Sequence, residues 1–362
     1  MKLFSSLSNT RRVFRFWIPL FVGGLLLIRC DHKPSVIGAE DTLVILVSEE
    51  DRPLLEPLLL DVFGRSMATP APEPYFQIIW ATPMDFDTFK RYKNLVIASL
   101  SNPADSTGDI LVRRILGPER VTAAMHGGNS IFVAGDYLAR GQIFMGLTAL
   151  DAIHAQKELS RLRAWIFDRF EQQLRVRQYQ TMYKRRDKRT LAGELENKYG
   201  WRLRIQHDYM PIREQPRKNF VWLGRGFPYR WLSVHWMDQA DTVTIRPEWS
   251  WQRMEYIADS LFTSVYIDSF FRSTELGDQN GHTLFILRGV WAHRQEIAGG
   301  PFFTYVFRDR EQNRIYFVTG MVFNPGGSKA LLIRQQEVMS RTFHTFEKPA
   351  PARVGSQRDR LT

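Results

Sequence analysis

Thr42-Leu43-Val44-Ile45-Leu46-Val47 is the stretch on which the fold turns. It is a short unbroken apolar and β-branched run, which reads as a buried strand. Outward from it, segment 51–64 places Leu54, Leu55, Leu58 and Val62 on one helical face. A proline-rich turn at 70–74 follows, then strands at 76–80 and 94–98. Ile110, Leu111, Ile115 and Leu116 predict a helix over about 108–117. The turn Gly127-Gly128-Asn129 leads into a strand at 131–133. The order β-α-β-β-α-β is that of a ferredoxin-like unit.

The order recurs further along. Residues 144–147 read as a strand, and 151–184 as a long helix with Leu159, Leu162, Ile166, Phe170 and Leu174 in one stripe. At ~1.5 Å per residue this helix exceeds 45 Å, more than a small sheet can cover. It is therefore expected to span two units and tie them together. A helix at 189–199 ends at Gly200, and strands at 201–205, 219–223 and 232–236, a helix at 249–262 and a strand at 283–290 follow. Two strands at 302–308 and 314–323 and a helix at 328–342 close the chain. The expectation is an α+β protein of two ferredoxin-like units with mainly antiparallel sheets, plus a C-terminal β-hairpin and helix. The first unit occupies 42–135, the second 136–345, and 346–362 is expected to be a disordered tail.

The N-terminus carries an address. Lys2, Arg11, Arg12 and Arg15 precede an apolar run at 16–28, and Cys30, the only cysteine, follows. That run falls well short of the ~20 residues of a spanning helix. A basic region, a short apolar region and then a cysteine is the build of a bacterial lipoprotein signal, here 1–29, with 30–41 as a tether. Arg29 departs from the small residue usual before the lipidated cysteine. The expected location is the cell envelope, on the periplasmic side or at the cell surface, with membrane lipid held through Cys30. Five cations and no acid precede Cys30, so the net charge of +11 falls to +6 beyond it. That excess suits anionic envelope material and is not a nucleic-acid signature.

An ordered series of motifs fills the C-terminal third: Arg288-Gly289-Val290-Trp291, Gly299-Gly300-Pro301-Phe302, the run 320–329, and Ile333-Arg334-Gln335-Gln336-Glu337. With Asn219-Phe220-Val221-Trp222-Leu223 and Pro72-Glu73-Pro74, this series resembles the family called Domain of Unknown Function 4837, predicted lipoproteins of Bacteroidetes-type bacteria. The resemblance covers nearly all of the chain beyond Cys30. It implies no activity, cofactor or catalytic residue.

The residues themselves give the same reading of the chemistry. His126-Gly127-Gly128-Asn129 lacks the Gly-x-Ser-x-Gly elbow that an esterase oxyanion loop serves. His235, His282 and His293 lack zinc-ligand spacing. No phosphate loop or dinucleotide pattern is present. No catalytic residue, metal or cofactor is therefore assigned. Gly299-Gly300-Pro301 reads as a hairpin turn with Trp291 and Phe302 packed across it. Arg288 needs an acidic partner if buried, with Glu296 and Glu337 as candidates; alternatively Arg288 and Arg334 bind an anionic ligand. The basic run 184–189 is a solvated helix junction or a contact for anionic lipid headgroups or an acidic partner. Aromatics crowd 220–251, and Trp231, Trp249 and Trp251 are the candidates for exposure. A non-enzymatic binding or assembly module for a protein or polymer partner of the envelope is the leading reading. Binding of cell-wall glycan by these tryptophans, or an unrecognised hydrolase, are the alternatives.

Overall fold

The computed structural model describes residues 33–346 apart from 68, 70, 102, 103 and 186. The expected signal 1–29, Cys30 and the expected tail beyond 346 lie outside the described residues. Elements run in the order β1 (Thr42–Leu46), α1 (Arg52–Phe63), β2 (Ser66–Met67), β3 (Glu73–Pro74), β4 (Gln77–Ala81), α2 (Phe86–Phe89) and β5 (Asn94–Leu100). Then come α3 (Thr107–Leu116), α4 (Pro118–Met125), β6 (Ile131–Gly135), β7 (Ile143–Ala149) and α5 (Ala152–Met182).

The first sheet has the order β4-β1-β5-β7-β6. β1 pairs in parallel with β4 and β5, and β5 pairs in parallel with β7; β6 is antiparallel to β7. The strands 42–46 and 131–135 share a sheet, as a ferredoxin-like unit requires, but the pairing is that of a doubly wound α/β sheet. The reason is burial on both faces. Leu43, Ile45, Val96 and Ala98 face α1 and α5, while Val44, Leu46, Leu95 and Ile97 face α3 and α4. Parallel strands are stable when helices cover both sides, and these runs are apolar on both sides. The strand at 144–147, expected to open the second unit, is β7 of the first sheet, so the first unit extends through α5.

The α5 stripe is buried, but not between units. Leu159, Ile166, Phe170 and Leu174 are buried, and Leu162 partly so, in the core shared with α1 and the first sheet. The tie to the rest of the chain comes from another flank of α5, through Glu171 and Gln178, whose Nε2 donates to the Leu331 carbonyl at 3.2 Å. The expected tether is partly pinned: Ile37 N–H donates to the Arg91 carbonyl at 2.9 Å, and Glu40 pairs with Arg177 and Lys93, each at 2.8 Å.

Beyond α5 lie α6 (Arg189–Tyr199), β8 (Trp201–Arg202), β9 (Met210–Gln215), β10 (Phe220–Arg225), β11 (Tyr229–Asp238), α7 (Pro247–Leu261) and β12 (Val265–Ile267). They are followed by β13 (Ser273–Gln279), β14 (His282–His293), β15 (Gly299–Asp309), β16 (Arg314–Phe323), α8 (Ala330–Ser340) and β17 (His344–Thr345). The large sheet has the order β12-β14-β15-β16-β11-β10-β9, with β13 also on β14, and its pairings are antiparallel. It is not a second ferredoxin-like unit, because three strands, one helix and five strands follow one another. Alternation sorts its faces. Leu232, Val234 and Trp236 share a core with α6 and α8 residues, while Trp231 and Met237 turn to the α7 side.

Gly299-Gly300-Pro301 begins β15 and is not a turn; the turn lies at 294–298. A Cβ on Gly300 would run into the Val322 carbonyl oxygen, and that close approach is what the glycine permits. Residues from Lys33 onward form one unit, so the two sheets are lobes of one body. Among the described residues no helix is long and apolar enough to cross a membrane.

Candidate functional site

The motif residues converge on α8. This helix buries Ile333, Val338 and Met339, but also Arg334, Gln336, Glu337 and Ser340. Arg334 is 2% exposed. Its Nη2 lies 2.7 Å from Glu171 Oε1 and donates to the Tyr75 carbonyl at 2.8 Å, and its guanidinium covers Tyr75 at 4.8 Å. Glu337 pairs with Arg288 of β14, Gln336 donates to the Tyr209 hydroxyl, and Arg230 donates to Gln335. Glu73 supplies the cap that the helix lacks locally: Oε2 accepts from Ser328 Oγ at 2.6 Å and from the N–H groups of Lys329 and Ala330 at 2.8 and 2.9 Å. Gly320 beneath the helix has no room for a Cβ, which would meet the Phe303 ring and Gln336.

Burial sets the electrostatics of this junction. It pushes the Glu171 carboxyl up despite Arg334 beside it. It also works against the Glu337 charge, but Arg288 outweighs it and holds that carboxyl below its ordinary value. Burial works against the Arg288 charge too, and Glu337 more than compensates. Of the two partners expected for Arg288, Glu337 is the one in contact, with Glu275 at 3.6 Å; Glu296 is not. Arg288 and Arg334 thus meet on one helix, each against carboxylates of this chain. Arg334–Glu171 joins α8 to α5 across the lobes, Arg288–Glu337 fixes α8 to the large sheet, and Arg334 is closed to solvent, which does not favour an anionic ligand there.

The three tryptophans have different fates. Trp251 is 9% exposed, donates from Nε1 to Thr274 Oγ1 at 2.9 Å and is core. Trp249 is half-buried with its ring 5.9 Å from Phe317. Trp231 is half-buried over Gly224, where a Cβ would collide with its ring. Within 220–251 the exposed aromatics are Phe227 at 62% and Tyr229 at 39%. Tyr229 stacks near-parallel with Trp231 at 5.8 Å and with Phe323 at 6.1 Å, and Phe227 meets it edge-on at 5.9 Å. Strand register places the 226–228 turn, the end of β16 and the 294–298 turn, with fully exposed Ile297, at one end of the large sheet. The apolar end was legible in one sign: Phe227 precedes Pro228 in the turn before β11, where an aromatic stands outside the strand alternation.

The opposite end holds a cleft of about 1010 Å³ between the turns 239–245, 279–283 and 308–311 and the start of β17. Its side chains are engaged: the His282 ring rests on Phe307 at 5.2 Å, and Asp309 accepts from the N–H groups of Glu311 and Gln312. His235, His282 and His293 do not converge. His235 is buried with Nδ1 on the Asn219 carbonyl at 3.1 Å, and His293 Nδ1 accepts from Glu296 N–H at 3.0 Å. His126 binds the Thr122 carbonyl at 2.8 Å. Among the described residues, no group of three or more His, Cys, Asp or Glu is placed to hold a metal ion. In the first sheet, the crevice past the ends of β1 and β5 is where doubly wound folds bind phosphates. Here it is lined by Glu49, Glu50 and Asp105, and the Asp105 carboxylate raises the Glu50 carboxyl. Such a lining repels a phosphate.

No curated protein matches the chain. Among solved structures it is similar to a point mutant of the protein Mog1, at 12% identity over 41% of this chain and 91% of that one, TM-score 0.29. It is similar to the Ran-binding protein Mog1p of Saccharomyces cerevisiae, at 12% identity over 40% and 90%, TM-score 0.29. A protein of Bacteroides thetaiotaomicron VPI-5482 aligns at 9% identity over 41% and 46%, TM-score 0.21. These scores carry no argument about fold or function. The family match is narrower than the motif series suggested, since it takes in α6 to α8 and leaves Pro72-Glu73-Pro74 outside. Over residues 188–342 the chain matches the family described as Domain of unknown function (DUF4837).

Proposed function

We propose that this protein is a lipid-anchored component of the bacterial cell envelope that binds a protein partner and catalyses no reaction. The observation that carries the reading is the aromatic end of the large sheet. Phe227, Tyr229 and Ile297 are exposed there, beside half-buried Trp231. Large exposed apolar side chains on a rigid support mark a contact surface. The engaged state of the buried charges supports a binding role, since Arg334 and Glu171 hold the lobes together and Arg288 and Glu337 fix α8 to the large sheet. A glycan is the lesser fit. Sugars stack on open ring faces, and the Tyr229 ring is already stacked with Trp231 and Phe323.

The anchor rests on Cys30 and the segment before it. Acylation at the cysteine gives stable attachment, because it supplies more than one chain. Cys30→Ala is expected to release the protein from membranes and abolish labelling by a fatty-acid probe. Retention of the variant would show that segment 16–28 is itself the anchor.

A further inference from the structure

The end of α5 borders a second cleft, of about 580 Å³, together with α6, β8 and the segment after α8. Lys188, Arg189, Arg202, Arg204 and Arg341 line it against a single carboxylate, Asp187. That carboxylate is engaged by Arg204 at 2.8 Å and Arg189 at 3.1 Å. Arg204 is held in place: its guanidinium lies 4.1 Å from the Tyr183 ring, and Nη1 donates to the Tyr179 hydroxyl at 2.6 Å. Its Nη2 is left without a protein partner among the described residues. Helix α6 begins at the same cleft with Lys188 as N-cap, no side-chain cap and no acid in its first turn. Exposed Lys184 and Arg185 add charge at the rim. An ordered guanidinium, four further cations and an uncapped helix start together complement a phosphate group.

Position selects the source of that phosphate. On α5, Arg177 pairs with Glu40 at 2.8 Å and donates to the Gly141 carbonyl at 3.1 Å. Arg177 is about 9 Å along the helix from Tyr183. The cleft therefore opens beside the segment that leads back to Cys30. The five residue-to-residue steps from Cys30 to Ser35 reach at most about 18 Å. Acylation would keep this part of the protein at a bilayer surface.

We propose that the cleft binds the phosphate of anionic phospholipid headgroups and so sets the orientation of the anchored protein. The choice of lipid as the source rests on the anchored reading. His344 lines both this cleft and the one at the far end of the large sheet. A headgroup bound here would turn the aromatic end, a β15 length of ~36 Å away, outward from the bilayer.

The test uses the full chain carrying Cys30→Ala, so that no arm is acylated and its outcome is independent of the release and labelling assay. The protein is held in neutral-detergent micelles doped with phosphatidylglycerol or phosphatidylcholine, and Tm is read in each. Phosphatidylglycerol is expected to raise Tm above the phosphatidylcholine value. Lys188→Gln and Arg204→Gln should each weaken that response about fivefold in the lipid concentration required. Lys157→Gln, an exposed cation near the far end of α5, should leave it unchanged. Lys188 is exposed, so its variant reports on binding even if Arg204→Gln compromises folding. Equal Tm values in the two lipids, or an equal loss in Lys157→Gln, would overturn the proposal. A rise produced by inorganic phosphate alone and lost in the same variants would overturn the lipid assignment in favour of a soluble phosphate.

Discussion

Arg334 brings a full charge into the interior, where its partner Glu171 is itself held toward neutrality by burial. Removing one member of such a pair strands the other. Arg334→Ala should cost about 3–5 kcal/mol, and Arg334→Met combined with Glu171→Leu should recover most of it, both read from urea denaturation. A double variant as unstable as the single one would show that the guanidinium's stacking on Tyr75, not the ion pair, is what matters. His235 makes a second prediction. Burial lowers its pKa to about 4, and Nε2 is buried without a partner. The unfolded chain therefore binds the proton more tightly. This contribution is fully present above pH ~6.5 and is lost as pH falls toward 4, amounting to about 3 kcal/mol. The urea midpoint of His235→Phe should fall less between pH 7 and pH 4 than that of the native chain. The sequence disclosed that Arg288 needs a carboxylate and named Glu337 among the candidates. It gave no sign of the Arg334–Glu171 pair, because nothing local links a residue of α8 to one of α5.

At the scale of elements, helices were more legible than sheets. The helix at 189–199 was placed as found, because apolar spacing and Gly200 mark it locally. Strand direction is not a local property. The usable clue was that 42–47 and 94–98 are apolar on both faces, which demands two helical layers and favours parallel pairing. The strand 144–147 was recognised but given to the wrong sheet for the same reason. Helix α8 shows how a distant residue completes a local element. Glu73 accepts three hydrogen bonds at the helix start and lies near Lys329 Nζ, at 3.8 Å. Glu73→Ala should cost about 1–2 kcal/mol and speed hydrogen exchange in the first turn of α8, leaving α6 unchanged. Uniform acceleration in both helices would show that Glu73 supports the whole fold instead of capping one helix.

At the scale of the whole molecule, two lobes of different sheet type are fastened through α8 by the buried Arg334–Glu171 pair, and the large sheet is left with two unlike ends. One is aromatic and the other opens on polar and basic clefts. The protein-binding reading rests on the aromatic end, and it is tested by placing a photo-crosslinking residue at Phe227 in the full-length protein within its native envelope. Lys157 serves as an exposed comparison site. The account predicts one discrete protein adduct from position 227, absent from position 157 and lost when Tyr229→Ser is added. No adduct from 227, the same adduct from 157, or an adduct that cell-wall digestion removes would contradict it.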